Sequence, residues 1–301
     1  MLLPYGERET GSAMVMVLVV TLIMGGILIS VLYRMQLEAA VTYNHQEKLS
    51  LIRIAKDLWQ REITLLKDDH NEYDSLDEPW ATMDNGRILA EEANAIGDTD
   101  IKMEMTITDE CGKLNLNGLT RMQWRHLLGE ERLFQPFLDW RDIDRNVEPQ
   151  GAEIDYYQFL GVTPPDIDGL FIDLNVLKRI KGADELPKDL NEYVTIYGYL
   201  NPNYIEEDVF AAVLANIGVE NFVIDRLKYE FINVQNASFM PFSQLEDLEK
   251  LPSMNISIWP KLGKWFTFEP VYNINTIDPR AVEVLFKSWG ISEEETQKFI
   301  N

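Results

Sequence analysis

The sequence predicts an α+β fold with a long N-terminal helix, a half-buried strand and a large helical region. Three observations support this prediction: an uncharged apolar run at 12–33, an alternation of apolar and polar residues at 101–107, and a motif of the form Asn-x-Asn-x-aliphatic that occurs three times later in the chain. The first is typical of a membrane-spanning helix, the second of a strand with one buried face, and the third of a repeated structural unit.

The N-terminal helix is predicted to continue well beyond the apolar run. As a helix, residues 12–33 would span about 33 Å, the thickness of the hydrocarbon core of a bilayer. No proline occurs in 12–66. Apolar residues then recur on one face at roughly helical spacing, at Leu37, Val41, Leu49, Ile52, Ala55, Trp59, Ile63 and Leu66. The sequence therefore predicts one helix of about 55 residues, apolar all round in its first half and amphipathic in its second half.

The residues on either side of the apolar run bear on whether it is cleaved and how it is oriented in the membrane. The run is longer than the apolar region of a secretory signal, and no small-x-small cleavage motif follows it. Arg8 lies on one side and Arg34 on the other, so the positive-inside rule does not set the orientation. Residues 1–11 are polar at their end and finish in Gly11. An ordinary signal anchor and a processed leader both remain open on these residues.

Composition limits the number of domains and the kinds of partner. The 301 residues leave room for two or three small domains, and an apolar content of 46% supports real cores. A net charge of −23 argues against nucleic acid or an anionic membrane surface as partner. Cys111 is the only cysteine, which excludes an internal disulfide. The sequence shows no nucleophile–base combination and no phosphate-binding loop, so no catalytic residue is predicted.

The Asn-x-Asn motif predicts a repeated helical module. Its copies lie at Asn115 and Asn117, Asn201 and Asn203, and Asn273 and Asn275. Helix starts follow the copies, with Thr120 and Asp278 as candidate N-caps. The second and third copies align without a gap at an offset of 72, which places Gly218 opposite Gly290 as helix C-caps. The asparagines are interpreted as turn formers that support helix ends, not as ligands.

An acidic loop between two predicted helices has the ligand spacing of a calcium-binding loop. The candidate ligands are Asp142, Asp144, Asn146, Glu148 and Glu153. The first and last stand at positions one and twelve of an EF-hand pattern, but Val147 occupies position six, where an EF-hand requires glycine. This pattern argues against a genuine EF-hand but allows an irregular calcium loop. The alternative is a solvated acidic loop that caps two helices.

Three motifs carry a resemblance to a known family. They read DECGKLNLN at 109–117, DWRDID at 139–144 and PQGAE at 149–153. Together with the long N-terminal helix, they resemble the K-type minor pseudopilins of type II secretion systems (general secretion pathway protein K, GspK), over about 12–251. Members of that family usually lack the glutamate that other pilin-like proteins carry at mature position five. Met16 stands at that position here.

The resemblance implies a processed, single-pass protein of the inner membrane. A prepilin peptidase would cut between Gly11 and Ser12, with the N-terminus cytoplasmic and the bulk of the chain periplasmic. The predicted strand would belong to a small pilin-like antiparallel sheet, and the Asn-x-Asn units would form SAM-like (helix-hairpin-helix-like) modules. The implied layout is a leader at 1–11, a transmembrane part at 12–33, the rest of the helix and the sheet at 34–110, and modules at 111–192, 193–262 and, in part, 263–301.

The implied role is assembly, not chemistry. A K-type subunit sits at the tip of the pseudopilus and takes part in its initiation and in protein secretion across the outer membrane. Its partners are the I- and J-type minor pseudopilins, the rest of the pseudopilus and the prepilin peptidase, with no nucleic acid. Calcium is the one cofactor implied. Two alternatives remain: a membrane-anchored periplasmic module that binds another protein, and a minor pilin of a type IV pilus or competence system.

Overall fold

The computed structural model describes residues 8–82, 106–161 and 169–300. The chain divides into two compact units, of which the first holds the N-terminal helix and the second holds Glu72–Ala81 and Ile107–Asn301. The predicted strand at 101–107 lies outside the described residues except for its last two positions. Residues 1–7 of the predicted leader also lie outside them.

The long N-terminal helix is confirmed. Helix α1 runs over Arg8–Asp68, 61 residues, and thus starts four residues before Ser12. Its most apolar 18-residue window has a mean hydropathy of 2.8, and no part of that window is buried. Helix α1 is therefore long and apolar enough to cross a membrane.

The amphipathic half of α1 buries a different face from the predicted one. Ile54, Leu58 and Glu62, four residues apart, are buried. Ile52 and Trp59, which belong to the predicted apolar face, are 41% and 57% exposed. The apolar spacing predicted one face of the helix, but the buried residues lie on the adjacent face. That buried face includes the carboxylate of Glu62.

The second unit is mainly helical. Its α-helices, with α2 at the boundary between the units, are α2 Pro79–Thr82, α3 Arg121–Leu128, α4 Glu131–Arg141, α5 Ile154–Phe159, α6 Leu190–Tyr193, α7 Glu207–Asn216, α8 Asn221–Ala237, α9 Leu245–Glu249, α10 Trp259–Leu262, α11 Pro279–Ser288 and α12 Glu293–Ile300. Short 3-10 helices occupy Glu110–Gly112, Leu174–Arg179 and Ala183–Glu185. Two strands, β1 Leu114–Asn115 and β2 Val194–Thr195, form a small sheet.

The sheet is parallel, so the predicted antiparallel sheet is wrong for the described strands. Leu114 lies opposite Val194, and Asn115 lies opposite Thr195. About 80 residues with several helices connect the two strands, which is the kind of long crossover that parallel pairing requires. A hairpin would have given the antiparallel arrangement.

A second parallel bridge repeats the first one. Leu200 pairs with Phe266, which lies 72 residues after Val194, the offset that the sequence predicts. The neighbouring side chains repeat as well: Thr195 Oγ1 accepts a hydrogen bond from the N–H two residues later at 3.0 Å, and Thr267 Oγ1 does the same at 3.2 Å. In both cases the residue before an Asn-x-Asn turn pairs with the strand that precedes the next turn.

The third copy packs back against the first. The N–H of Asn273 donates to the carbonyl of Cys111 at 3.0 Å, and the N–H of Asp278 donates to the carbonyl of Gly112 at 2.9 Å. The two backbones approach so closely that a Cβ on Gly112 would lie 2.5 Å from the carbonyl oxygen of Thr276. Each copy therefore contacts the other two, and the three turns form a closed ring.

Two hydrophobic cores stabilise the ring. One is built around α7 and α8, where the rings of Phe210 and Phe231 stack with centroids 4.2 Å apart. The other joins residues of 114–196 to Ala281, Val284 and Leu285 of α11. Full burial of one such valine or leucine side chain contributes about 1.5–3 kcal/mol. The segment 263–301, predicted as a third module, thus completes the core of the first.

Candidate metal centre

Three carboxylates converge at the ends of the acidic loop. Asp139 lies in α4, Asp142 follows the last residue of α4, and Glu153 precedes the first residue of α5. One oxygen of each carboxylate lies within 4.8 Å of the other two. Carboxylate oxygens are the ligands that calcium prefers, so this arrangement defines a candidate cation site.

Asp139 is held in place by the loop itself. Its side chain is only 3% exposed. Its two carboxylate oxygens accept a hydrogen bond from the N–H of Glu148, at 3.1 and 3.3 Å. The loop passes so close that a Cβ on Gly151 would lie 1.8 Å from Asp139 Oδ2. The glycine of the PQGAE motif is therefore needed for this approach.

The second feature of the cluster is a buried carboxylate oxygen of Glu153. This atom, Oε1, has no hydrogen-bond partner within the described structure. A buried carboxylate oxygen without a partner is costly, because it has lost water and gained nothing in return. A cation between the three carboxylates would satisfy it.

The raised pKa values of two carboxylates in the cluster also favour a bound cation. Burial raises the pKa of Asp142 to about 8, and the nearby charges of Asp144 and Glu153 add to this effect. Burial likewise raises the pKa of Glu153 to about 7, with Asp139 as the main neighbouring charge. A bound divalent cation reverses this preference, because it stabilises the ionised carboxylates.

The remaining predicted ligands make other contacts. Asp144 is exposed, and its Oδ1 accepts a hydrogen bond from the N–H of Asn146 at 2.7 Å. Glu148 forms an ion pair with Arg121, with one N–O distance of 3.1 Å. Of the five predicted ligands, the structure thus places only Asp142 and Glu153 in the cluster. Asp139 was missed, although its position three residues before Asp142 puts both on one side of the helix end.

A buried arginine fixes the end of α4. Arg141 is 2% exposed, and its guanidinium donates to the carbonyl of Leu119 and, at 3.1 Å, to Glu206 Oε2. Glu206 in turn accepts from the N–H of Arg121 at 2.6 Å. Removing the partly exposed Glu206 would leave the buried charge of Arg141 without its ion-pair partner, at a large cost in stability. The pair therefore anchors the helix end that carries the carboxylates.

The asparagines of the repeat form turns. In every copy the side-chain oxygen of the first asparagine accepts a hydrogen bond from the N–H of the second at 3.0 Å. The side chain of Asn117 also accepts a hydrogen bond from the N–H of Phe171 at 2.8 Å and donates one to the carbonyl of Phe171 at 3.1 Å. Asn203 binds Phe242 in the same two-sided way, at 3.0 and 2.7 Å. All of these bonds are internal to the protein.

The predicted processing residues, Gly11 and Ser12, lie within α1. Comparison of the chain with protein-family models, curated proteins and solved structures finds no match. The function is therefore inferred from the residues of the chain itself.

Proposed function

We propose that this protein is a K-type minor pseudopilin at the tip of a type II secretion pseudopilus. It takes part there in the initiation of pseudopilus assembly and in protein secretion across the outer membrane. The observation that carries the proposal is α1, a 61-residue helix whose most apolar window has no buried residue. Such a window requires lipid or the apolar helices of neighbouring subunits around it.

The proposed route to the membrane is that of a prepilin. The peptidase cuts between Gly11 and Ser12, the N-terminus lies in the cytoplasm, and the helical unit lies in the periplasm. The mature helix then packs among those of the I- and J-type minor pseudopilins. Met16 suits the end of the filament, because a topmost subunit has no N-terminal charge above it to neutralise.

The helical unit also supports a position at the tip. It extends over most of Ile107–Asn301 and holds two hydrophobic cores. A body of this size on one subunit is hard to repeat at every level of a filament, but it fits at the end. The net charge of −23 suits a solvated domain and disfavours nucleic acid as partner.

Calcium is the ion proposed for the cluster of Asp139, Asp142 and Glu153. Calcium takes six to eight oxygen ligands, which carboxylates, backbone carbonyls and water can supply together. When bound, it would offset most of the charge of three facing carboxylates and tie the end of α4 to the start of α5. The role is structural: the ion would stabilise the loop that joins these two helices.

The N-terminus of the protein isolated from membranes tests the proposal. Intact mass and N-terminal sequencing should show a chain that starts at Ser12. The same chain from cells without prepilin peptidase should start at Met1, which controls for unrelated proteolysis. A start at Met1 in cells that contain the peptidase, or a cut beyond residue 33, would contradict the proposal and favour a membrane-anchored binding module.

A further inference from the structure

A cavity of about 630 Å³ lies between the three copies of the repeat. Each copy contributes to its lining, with Thr120 from the first, Ile205 from the second and Trp289 from the third. Pockets for small molecules have volumes of about 300–1,000 Å³. The ring of repeats thus encloses a space of the size that such a ligand needs, and the carboxylate cluster does not line it.

The lining of the cavity is uncharged. None of the described residues that line it is Asp, Glu, Lys, Arg or His, in a chain of which 26% is charged. An ion that entered would lose its hydration without gaining an opposite charge. The cavity therefore selects for uncharged molecules.

Most polar side chains of the lining are already engaged. Thr120 and Gln123 form a reciprocal capping box at the start of α3, with distances of 3.3 and 2.9 Å. Ser288 donates to the carbonyl of Leu285 at 2.6 Å, and the amide of Asn201 donates to the carbonyl of Glu269 at 3.2 Å. A ligand would therefore meet mainly aliphatic and aromatic surface.

The rim of the cavity carries exposed aromatic side chains and an unusual backbone. Tyr199, Tyr204 and Trp289 are 56%, 54% and 60% exposed. Met240, another lining residue, has a φ of 51°, in the left-handed region that non-glycine residues avoid. Local backbone strain of this kind concentrates at binding sites, and exposed apolar clusters mark surfaces that a ligand covers.

We infer that this cavity binds an uncharged, mainly apolar organic molecule of small-molecule size. The volume of this half-open cavity, about 630 Å³, matches one such ligand. The inference is independent of the secretion role, because it rests on the cavity alone.

Photolabelling of the full chain in detergent tests the inference. The probe is a neutral aryl diazirine, naphthalene is the competitor, and labelled peptides are quantified by mass spectrometry relative to peptides of α1, which report the free probe. Saturating naphthalene should reduce labelling of Tyr199 and Trp289 at least about tenfold, because it occupies the cavity in place of the probe. Ile256, which is 82% exposed and does not line the cavity, should not respond.

A cavity-filling variant provides the second measurement. Val271→Trp should reduce labelling of the cavity peptides to a similar extent, whereas Val147→Trp in the acidic loop should leave it unchanged. Labelling that naphthalene does not reduce would overturn the inference, as would unchanged labelling in a folded Val271→Trp protein. If that variant does not fold, competition in the unmodified chain decides. Competition by an apolar peptide but not by naphthalene would also overturn it, in favour of a polypeptide-docking surface.

Discussion

We expect the carboxylate cluster to make the stability of the helical unit depend on pH and calcium, and Asp142→Asn is the change that tests this. At 4.8 Å, two unit charges in a medium of effective dielectric constant of about 20 repel by about 3.5 kcal/mol. Burial disfavours the charged form of Asp142, and the neighbouring charges of Asp144 and Glu153 add to this effect, so the folded protein retains a proton there and the pKa of Asp142 rises from 3.8 to about 8. Asparagine keeps the size of the side chain and removes the charge.

The sign of the pH dependence follows from the raised pKa. Between pH 3.8 and about 8, the folded state holds a proton at Asp142 that the unfolded chain has released. The free energy of unfolding therefore decreases as pH rises through this window, by about 1.4 kcal/mol per pH unit for one fully shifted group. Because solvent screens this partly exposed group, we expect Asp142 to account for a decrease of about 1–2 kcal/mol between pH 5 and 7.

Thermal unfolding of the full chain in detergent with a chelator, followed by near-UV circular dichroism, measures this decrease. For a unit of about 200 residues, 1 kcal/mol corresponds to about 2–4 °C in Tm. The unmodified protein should lose several degrees more than Asp142→Asn between pH 5 and 7. Calcium at about 100 times its Kd should stabilise the unmodified protein by about 2.7 kcal/mol and the variant much less. Asp155→Asn, at an exposed position in α5, is the matched control.

The result that would refute this reasoning is equally specific. Equal pH dependence of the unmodified protein and Asp142→Asn in chelator would mean that the cluster retains no proton. A Tm of the unmodified protein that calcium leaves unchanged would mean that the three carboxylates do not bind this ion.

Two further substitutions test the repeat and the loop. Asn117→Ala should lower the free energy of unfolding in urea by about 2–4 kcal/mol, because three buried backbone groups, the N–H and carbonyl of Phe171 and the carbonyl of Ile196, lose their partner. Asn275→Ala, at the equivalent but exposed position, should change it by less than about 0.5 kcal/mol, and equal losses would contradict the role given to the turn. Gly151→Ala should weaken calcium binding at least about tenfold in titration calorimetry, because its Cβ would collide with Asp139. Gly263→Ala, outside the loop, should leave the affinity unchanged.

Local signals in the sequence predicted α1 and the repeat well. An uninterrupted apolar run without proline specifies a helix whatever surrounds it, and α1 extends only a few residues beyond the predicted limits. The offset of 72 between the second and third copies recurs in the pairing of Phe266. Such features depend on residues close together in the chain, which a sequence displays directly.

The features that were missed depend on distant contacts. Strands β1 and β2 are two residues long each, so their direction is set by the helices between them and not by any pattern within them. Asp139 appears as an ordinary helical acid until the loop folds back over it. The cavity forms only when all three copies of the repeat come together, so no single segment of the sequence predicts it.

Closure of the ring has a consequence for the order of folding. Asp109 and Asn273 bind each other across 164 residues of chain, and Asp109 binds Thr276 across 167. Contacts of such long range form late, because the intervening chain must first be ordered. Until α11 packs through Ala281, Val284 and Leu285, one side of the core built from residues of 114–196 stays exposed to water. The first copy to be synthesised is therefore the last to be completed.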